Sequence, residues 1–212
     1  MPRKLWEPST LLKKKSNLLK FENFLSKNIN YKVSKNYKQL FEWSIRNIPS
    51  FWSHLWQYLE IVGDKKDKFK FSKNFIQSKF FIDSKLNFAE NIFSKQDASK
   101  AVTFISENGF REEKNWNELY KNTSKIIKFF KQKKIKERDR IAAYTANQIE
   151  TIEFFLATSS IGAIWSSCSP DFGSSGVIER FSQIKPKVLI ITDRYFYNGK
   201  EINVIKRLPF IL

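Results

Sequence analysis

Between residues 11 and 28, Leu12, Leu18, Leu19, Phe21, Phe24 and Leu25 recur at helical spacing with lysines opposite. That pattern predicts an amphipathic helix, broken near Ser16. Residues 37–48 predict a second helix. Pro49 opens a third, on which Phe51, Trp52, Leu55, Trp56 and Leu59 form a wide aromatic face and which Gly63 is expected to stop. Residues 63–85 are Lys-rich, aromatic and irregular, and read as a connector that packs its Phe residues onto the neighbouring helices. The connector marks the internal boundary, giving a helical amino-terminal region over 1–85 and a partial α/β domain over 86–212.

Beyond that boundary the texture changes. Ala101-Val102-Thr103-Phe104-Ile105-Ser106 is strand-like, Asn108-Gly109 is a hairpin turn signal, and residues 110–115 return as a polar strand. A helix is expected to start at Asn115 or Trp116, carrying Leu119, Ile126, Ile127, Phe129 and Phe130. A strand over 140–144, a helix over 148–160, a strand over 163–167, a helix over 174–184 and a strand over 188–191 follow. Strand and helix alternate with short connections, which predicts an α/β fold: a helical leader, then an incomplete, mainly parallel sheet wound by right-handed crossovers. Such a sheet is expected to leave an open edge and exposed apolar helix faces, and so poor solubility.

Composition bounds the function classes. The 212 residues are 42% hydrophobic with 21 Phe, 7 Tyr and 6 Trp, too apolar for a disordered chain, while a mean hydropathy of -0.45 is too polar for a membrane bundle. The longest weakly charged apolar stretch, 151–168, is interrupted by Glu153, Ser159 and Ser160 and falls short of the roughly 20 residues of a membrane span. Residues 1–15 carry no apolar run ending in small residues, so no secretory signal is expected and the location is read as cytoplasmic. One cysteine, Cys168, and one histidine, His54, leave little for a disulfide, a zinc site or a Ser/His triad. His54 is read as a packed or surface residue and Cys168 as a quiet thiol, since neither has a partner near in sequence. The net charge of +17 invites a nucleic-acid partner. The lysines are spread along the chain, however, and Lys, Asn, Ile and Phe have A- and T-rich codons, so composition bias accounts for the charge without one.

Ligands of open parallel sheets bind in loops beyond the carboxyl ends of the strands. Two loops qualify. Ser169, Pro170, Asp171, Phe172 and Gly173 lead from a strand into a helix start that favours an anion, and residues 193–200 bring Tyr195, Phe196 and Tyr197 together with Arg194 and Lys200. If the parent strands are neighbours the loops lie side by side and suit a phosphate with a stacked base. The alternative is that Ser174 or Ser175 caps the helix and the glycines only allow the turn.

The run Ile161-Gly162-Ala163-Ile164-Trp165-Ser166-Ser167-Cys168-Ser169-Pro170-Asp171-Phe172-Gly173 carries a family resemblance. With it go Arg180-Phe181-Ser182-Gln183-Ile184-Lys185-Pro186-Lys187-Val188-Leu189 and Tyr197-Asn198-Gly199-Lys200. Together they resemble the acetoacetyl-CoA synthetases, which are adenylate-forming acyl-CoA synthetases. Leu5-Trp6-Glu7-Pro8-Ser9, Phe51-Trp52 through Trp56, Leu86-Asn87-Phe88-Ala89-Glu90-Asn91 and Asp139-Arg140-Ile141-Ala142-Ala143-Tyr144 agree in order along the chain. The resemblance implies the amino-terminal part of the adenylate-forming fold. It also implies a two-step reaction in which ATP and acetoacetate form an acyl-adenylate with Mg assisting, and CoA then displaces AMP. In related enzymes the loops matching Ser169 to Gly173 and Tyr197 to Lys200 lie where the nucleotide end of CoA docks. Lys200 stands where relatives have a phosphate-binding Arg, and Tyr197 replaces a basic residue.

The chain also departs from the family. Relatives are about three times longer, and their phosphate loop, ribose-binding aspartate and catalytic-lysine domain have no counterpart here. The six glycines contain no Gly-x-Gly and none opens a phosphate-cradling loop. ATP, CoA and Mg are therefore expected for the complete enzyme, and no adenylate is expected from this chain alone. Four situations fit: a truncated remnant, one subunit of a split enzyme with a separate carboxy-terminal half, a CoA-binding or interaction module, and a basic nucleic-acid-binding module.

Overall fold

The computed structural model describes residues 5–34 and 36–211. The first four residues of the stretch read as lacking a signal lie outside them. The chain divides into two compact units, 1–85 and 86–212.

The first unit is helical: α1 (Thr10–Lys15), α2 (Asn17–Asn28), α3 (Tyr37–Arg46) and α4 (Ile48–Tyr58). The break expected near Ser16 falls on that residue. Ser16 ends α1 in an extended conformation and its hydroxyl accepts from the Leu19 amide to cap α2. Phe21, Leu25, Tyr31 and Leu40 form a buried core against which Trp43, Phe51, Leu55 and Tyr58 pack. Gly63 does not stop α4. The helix ends at Tyr58 because Glu60 turns left-handed (φ 51°), letting the Ile61 amide bond the Trp56 carbonyl and the Glu60 amide bond the Gln57 carbonyl. The connector then sets Phe80 against Trp52 and Phe81 against Trp56. His54 lies edge-on to Phe24 and hydrogen-bonds the Ser50 carbonyl through Nδ1 at 2.7 Å.

The second unit opens with a short helix α5 (Phe88–Ile92) and an antiparallel hairpin, β1 (Lys100–Ile105) and β2 (Arg111–Asn115). Helix α6 (Trp116–Gln132) starts from a capping box, in which Asn115 and Glu118 exchange side-chain-to-backbone bonds. Strand β3 (Arg140–Tyr144), helix α7 (Ile149–Ser160), strand β4 (Ile164–Cys168), helix α8 (Ser174–Ile184) and strand β5 (Val188–Ile191) follow. They make a three-stranded parallel sheet in the order β4-β3-β5.

That order explains the layers. The chain steps from β3 to β4 in one direction and then back past β3 to β5, so two right-handed crossovers place their helices on opposite faces. Ile141 joins Phe130 and Ala157 on the face of α6 and α7, whereas Ala142 and Tyr144 join Val177 and Phe181 on the face of α8. The central strand is accordingly buried on both sides, which is why 141–144 reads as a continuous apolar run. Truncating Phe130 in this core would cost about 3–5 kcal/mol. Among the described residues β4 and β5 each pair on one side only. A second hairpin, β6 (Arg194–Tyr197) and β7 (Lys200–Asn203), and a short helix α9 (Leu208–Ile211) complete the unit. No helix among the described residues is long and apolar enough to cross a membrane.

Candidate functional site

A cleft of about 590 Å³ opens at the carboxyl ends of β3 and β4. Its floor is Ala146, Asn147 and Gln148, the loop after β3, and one side is Ser169, Pro170 and Asp171, the loop after β4. Strand β6, from Arg194 to Tyr197, forms a second side, and the β1–β2 hairpin, including Phe104, Glu107 and Phe110, forms the third. The chain reverses its direction of strand addition at β3, and such a reversal opens a crevice at the strand ends.

The sequence placed residues 193–200 in a loop, and the structure corrects this to a hairpin. Asn198-Gly199 turns with both residues at positive φ (52° and 71°), so Tyr197 pairs with Lys200. The condition that β4 and β5 be neighbours is also corrected, since β3 lies between them. The two segments meet all the same. The Tyr195 hydroxyl donates to Asp171 Oδ1 at 2.6 Å, and the Ser169 hydroxyl donates to Asp171 Oδ2 at 2.7 Å. The Gly199 amide reaches Glu107 Oε2 at 3.3 Å, joining the tips of the two hairpins.

These bonds set the ionisation of the site. The hydrogen bonds from Tyr195 and then Ser169 hold the Asp171 carboxyl below its ordinary value against the opposing effect of burial, with a lesser contribution from the charge of Arg207. Burial, then the hydrogen bond and charge of Asp171, push the Tyr195 hydroxyl up to about 12. Asp171 is therefore an ionised acceptor at neutral pH and Tyr195 a donor. Glu107 and Asp171 are the carboxylates on the lining, and among the described residues Arg194 is its one cation, paired with Asp193 at 3.3 Å and Glu201 at 3.0 Å. Aromatic rings stand on two sides: Phe104 and Phe110 with centroids 6.3 Å apart, and Tyr195 and Tyr197 at 6.4 Å.

Of the residues singled out by sequence, Ser169, Pro170, Asp171 and Tyr197 share the cleft lining, whereas Phe172, Gly173 and Lys200 do not. Phe172 carries the Arg180 guanidinium over its ring at 4.3 Å. Gly173 is the N-cap of α8 and makes no side-chain cap, so neither Ser174 nor Ser175 caps the helix. Lys200 opens β7 on the exposed hairpin. Cys168 is buried, which raises its thiol pKa with only partial opposition from Arg180. Sequence reasoning missed the β1–β2 side of the cleft and Arg207, whose contacts span tens of residues. No group of three or more His, Cys, Asp or Glu side chains converges among the described residues.

Residues 90–209 match the model of a family described as AMP-binding enzyme. The chain is 35% identical over 203 residues to the acetoacetyl-coenzyme A synthetase of Rhizobium meliloti, covering 95% of this chain and 31% of that protein. It is 34% identical over 213 residues to the acetoacetyl-CoA synthetase of Xenopus tropicalis, covering 98% of this chain and 31% of that protein. The solved acetoacetyl-CoA synthetase of Streptomyces lividans superposes with a TM-score of 0.91 at 23% identity, over 99% of this chain and 33% of that chain. The chain thus spans about a third of the length of the relatives it matches, in their amino-terminal portion. Its fold is that of the corresponding part of these enzymes, and the chain belongs to the AMP-binding enzyme family.

Proposed function

We propose that this chain is the CoA-facing, amino-terminal portion of an ATP-dependent acetoacetate–CoA ligase working in the cytoplasm. In that reaction a carboxylate oxygen of acetoacetate attacks the α-phosphorus of ATP and pyrophosphate leaves. The CoA sulfur then attacks the acyl carbon and AMP leaves. The observation that carries the reading is the cleft itself, where the loop after β4 meets strand β6 at the carboxyl end of the sheet. The relatives, which are acetoacetyl-CoA synthetases, suggest the acid.

In this reading the nucleotide end of CoA enters the cleft. Tyr195 and Tyr197 on one side and Phe104 and Phe110 on another offer faces to a planar base, where stacking contributes about 1–3 kcal/mol. Ser169 and Asp171 take donors from the ring or ribose, and Pro170 closes the turn between them. Arg194 supplies the cation for a phosphate. Phe172, Gly173 and Lys200 serve at the rim, Phe172 and Gly173 by shaping the turn into α8 and Lys200 by drawing a phosphate over the hairpin. The unit over 86–212 is then the start of the large α/β domain of the ligase.

ATP and Mg belong to the complete enzyme. The residues here do not fit them: the sequence has no Gly-rich phosphate loop, and no convergent ligand set lies among the described residues. The chain alone is proposed to bind CoA without forming an adenylate, the remaining two thirds of the enzyme's length supplying the rest. Calorimetric titration with CoA tests the first part, and absence of binding at millimolar CoA overturns it. Acetoacetate- and CoA-dependent release of AMP and pyrophosphate, assayed with the chain alone and with its downstream reading frame, tests the second. Activity of the chain alone would overturn the division of labour.

A further inference from the structure

The loop that carries Ser169 and Asp171 is held from behind. Tyr144, the last residue of β3, is fully buried, and its hydroxyl lies 2.6 Å from the Phe172 carbonyl and 3.0 Å from the Pro170 carbonyl. Arg207 closes a 3-10 turn, Ile205–Arg207, and places Nη1 2.6 Å from the Tyr144 hydroxyl and 2.6 Å from the Pro170 carbonyl. The guanidinium has no acceptor and so donates, and among the carbonyls in reach, including that of Phe172 at 3.4 Å from Nη1, the shortest contacts assign the partners. Nη1 has two protons and the tyrosine one, so Nη1 donates to the Pro170 carbonyl and the Tyr144 oxygen, and the Tyr144 hydroxyl donates to the Phe172 carbonyl. The two carbonyls flank Asp171, whose carboxylate stands on the cleft. The turn bearing Arg207 is itself anchored, because Val204 is fully buried and the Val204 and Ile205 amides donate to the Asp193 carbonyl at 2.8 and 3.1 Å.

We propose that Arg207 is a positioning residue for the ligand loop, acting directly on the Pro170 carbonyl and through Tyr144 on the Phe172 carbonyl, and so holding Asp171 and Ser169 toward the cleft. The role in ligand binding rests on the CoA reading above. A charge-assisted relay to two backbone carbonyls gives what apolar packing does not: it sets the direction of the peptide planes before a ligand arrives. It also ties the loop after β4 to the base of the β6–β7 hairpin through Asp193, so both sides of the cleft share one anchor.

The test uses the 212-residue chain with Arg207→Met, Arg207→Lys and Tyr144→Phe, and with Phe130→Leu as a control that loosens the opposite face of the sheet. Amide exchange at Phe172, whose N–H bonds the Ser169 carbonyl at 3.1 Å, reads the loop without any ligand. CoA titration and Tm read affinity and stability. Arg207→Met and Tyr144→Phe are expected to speed exchange at Phe172 and to weaken CoA by on the order of tenfold. Arg207→Lys, which keeps a cation with three donors, is expected to recover most of the affinity. Phe130→Leu is expected to lower Tm and leave CoA affinity alone. Unchanged exchange in both Arg207→Met and Tyr144→Phe would overturn the proposal, as would affinity losses that track Tm equally in all four variants. Should the wild-type chain bind no CoA, the CoA reading fails on its own and exchange at Phe172 decides whether the loop is held as described. Should Arg207→Met not fold, Tyr144→Phe decides it.

Discussion

The Tyr195 hydroxyl donates to Asp171 across the cleft at 2.6 Å, joining two segments whose parent strands are separated by β3. Because Asp171 is exposed and Tyr195 only half-buried, Tyr195→Phe is expected to cost no more than about 1 kcal/mol. The pH dependence is more telling. Asp171 titrates below its ordinary 3.8 in the folded chain, so its share of the stability is present above that value and lost as the pH falls through the folded value. Tyr195 is raised from 10.0 to about 12, so its share is present below 10.0 and lost as the pH rises toward 12. The stability difference between wild type and Tyr195→Phe should therefore be flat near neutrality and shrink at both extremes. Denaturant melts across pH check this, and a difference that persists unchanged into strong acid and strong base would refute it.

Glu153 on α7 is nearly buried, its side chain 6% exposed, and it accepts from Lys114 of β2 at 3.2 Å and Asn122 of α6 at 2.9 Å. Burial alone would lower the Lys114 pKa, but Glu153 and Glu112 outweigh it and hold the ammonium above its ordinary value. Lys114→Met leaves the carboxylate with Asn122 and should cost about 2–3 kcal/mol, most of it recovered by adding Glu153→Leu. Since the folded pKa is raised, the contribution of Lys114 is present below 10.5 and lost at more alkaline pH. Urea titrations of the single and double variants measure both effects.

Gly162 ends the turn after α7 with φ +69°, and a Cβ there would lie 2.9 Å from Cγ of Glu137. Gly109 also has positive φ, +83°, but open space around it. Gly162→Ala should therefore combine left-handed strain with a displaced side chain and cost about 2 kcal/mol, whereas Gly109→Asn should cost well under about 1 kcal/mol. Equal losses in thermal melts would show that strain alone governs both turns.

Why some of this was legible in the sequence and some was not follows from the distance over which each signal acts. Strand β3 announces itself because both its faces are buried and every residue from Ile141 to Tyr144 must be apolar or small. Helix α6 announces itself through Asn115 and Glu118, three residues apart. Helix α5 buries only Ala89, too little for a periodic pattern. Hairpin β6–β7 buries none of its strand residues fully, so the alternation that marks strands is missing, although Asn198-Gly199 gives the same turn signal that revealed the β1–β2 hairpin. Half of the candidate site was readable for the same reason: Ser169 to Asp171 sit in one short segment. The position of β3 between β4 and β5, and the reach of Arg207 to Tyr144, depend on pairings across the whole sheet that no local pattern encodes.

Arg194 lines the cleft and Lys200 does not, although both lie on the hairpin. In the proposed CoA reading Arg194 stands on the cleft wall, oriented by Asp193 at 3.3 Å and Glu201 at 3.0 Å, and can meet a phosphate directly with its remaining donors, whereas Lys200, outside the lining, contributes through solvent and is screened by salt. Arg194→Gln should accordingly weaken CoA by on the order of tenfold at moderate salt, and Lys200→Ala by less than about threefold, an effect that fades as salt is raised. CoA titrations of both variants at low and high ionic strength test the order. A larger loss for Lys200→Ala, persisting in high salt, would move the phosphate from the cleft to the outer face of the hairpin. The two rings of Tyr195 and Tyr197 would then be walls of a site that the nucleotide does not enter.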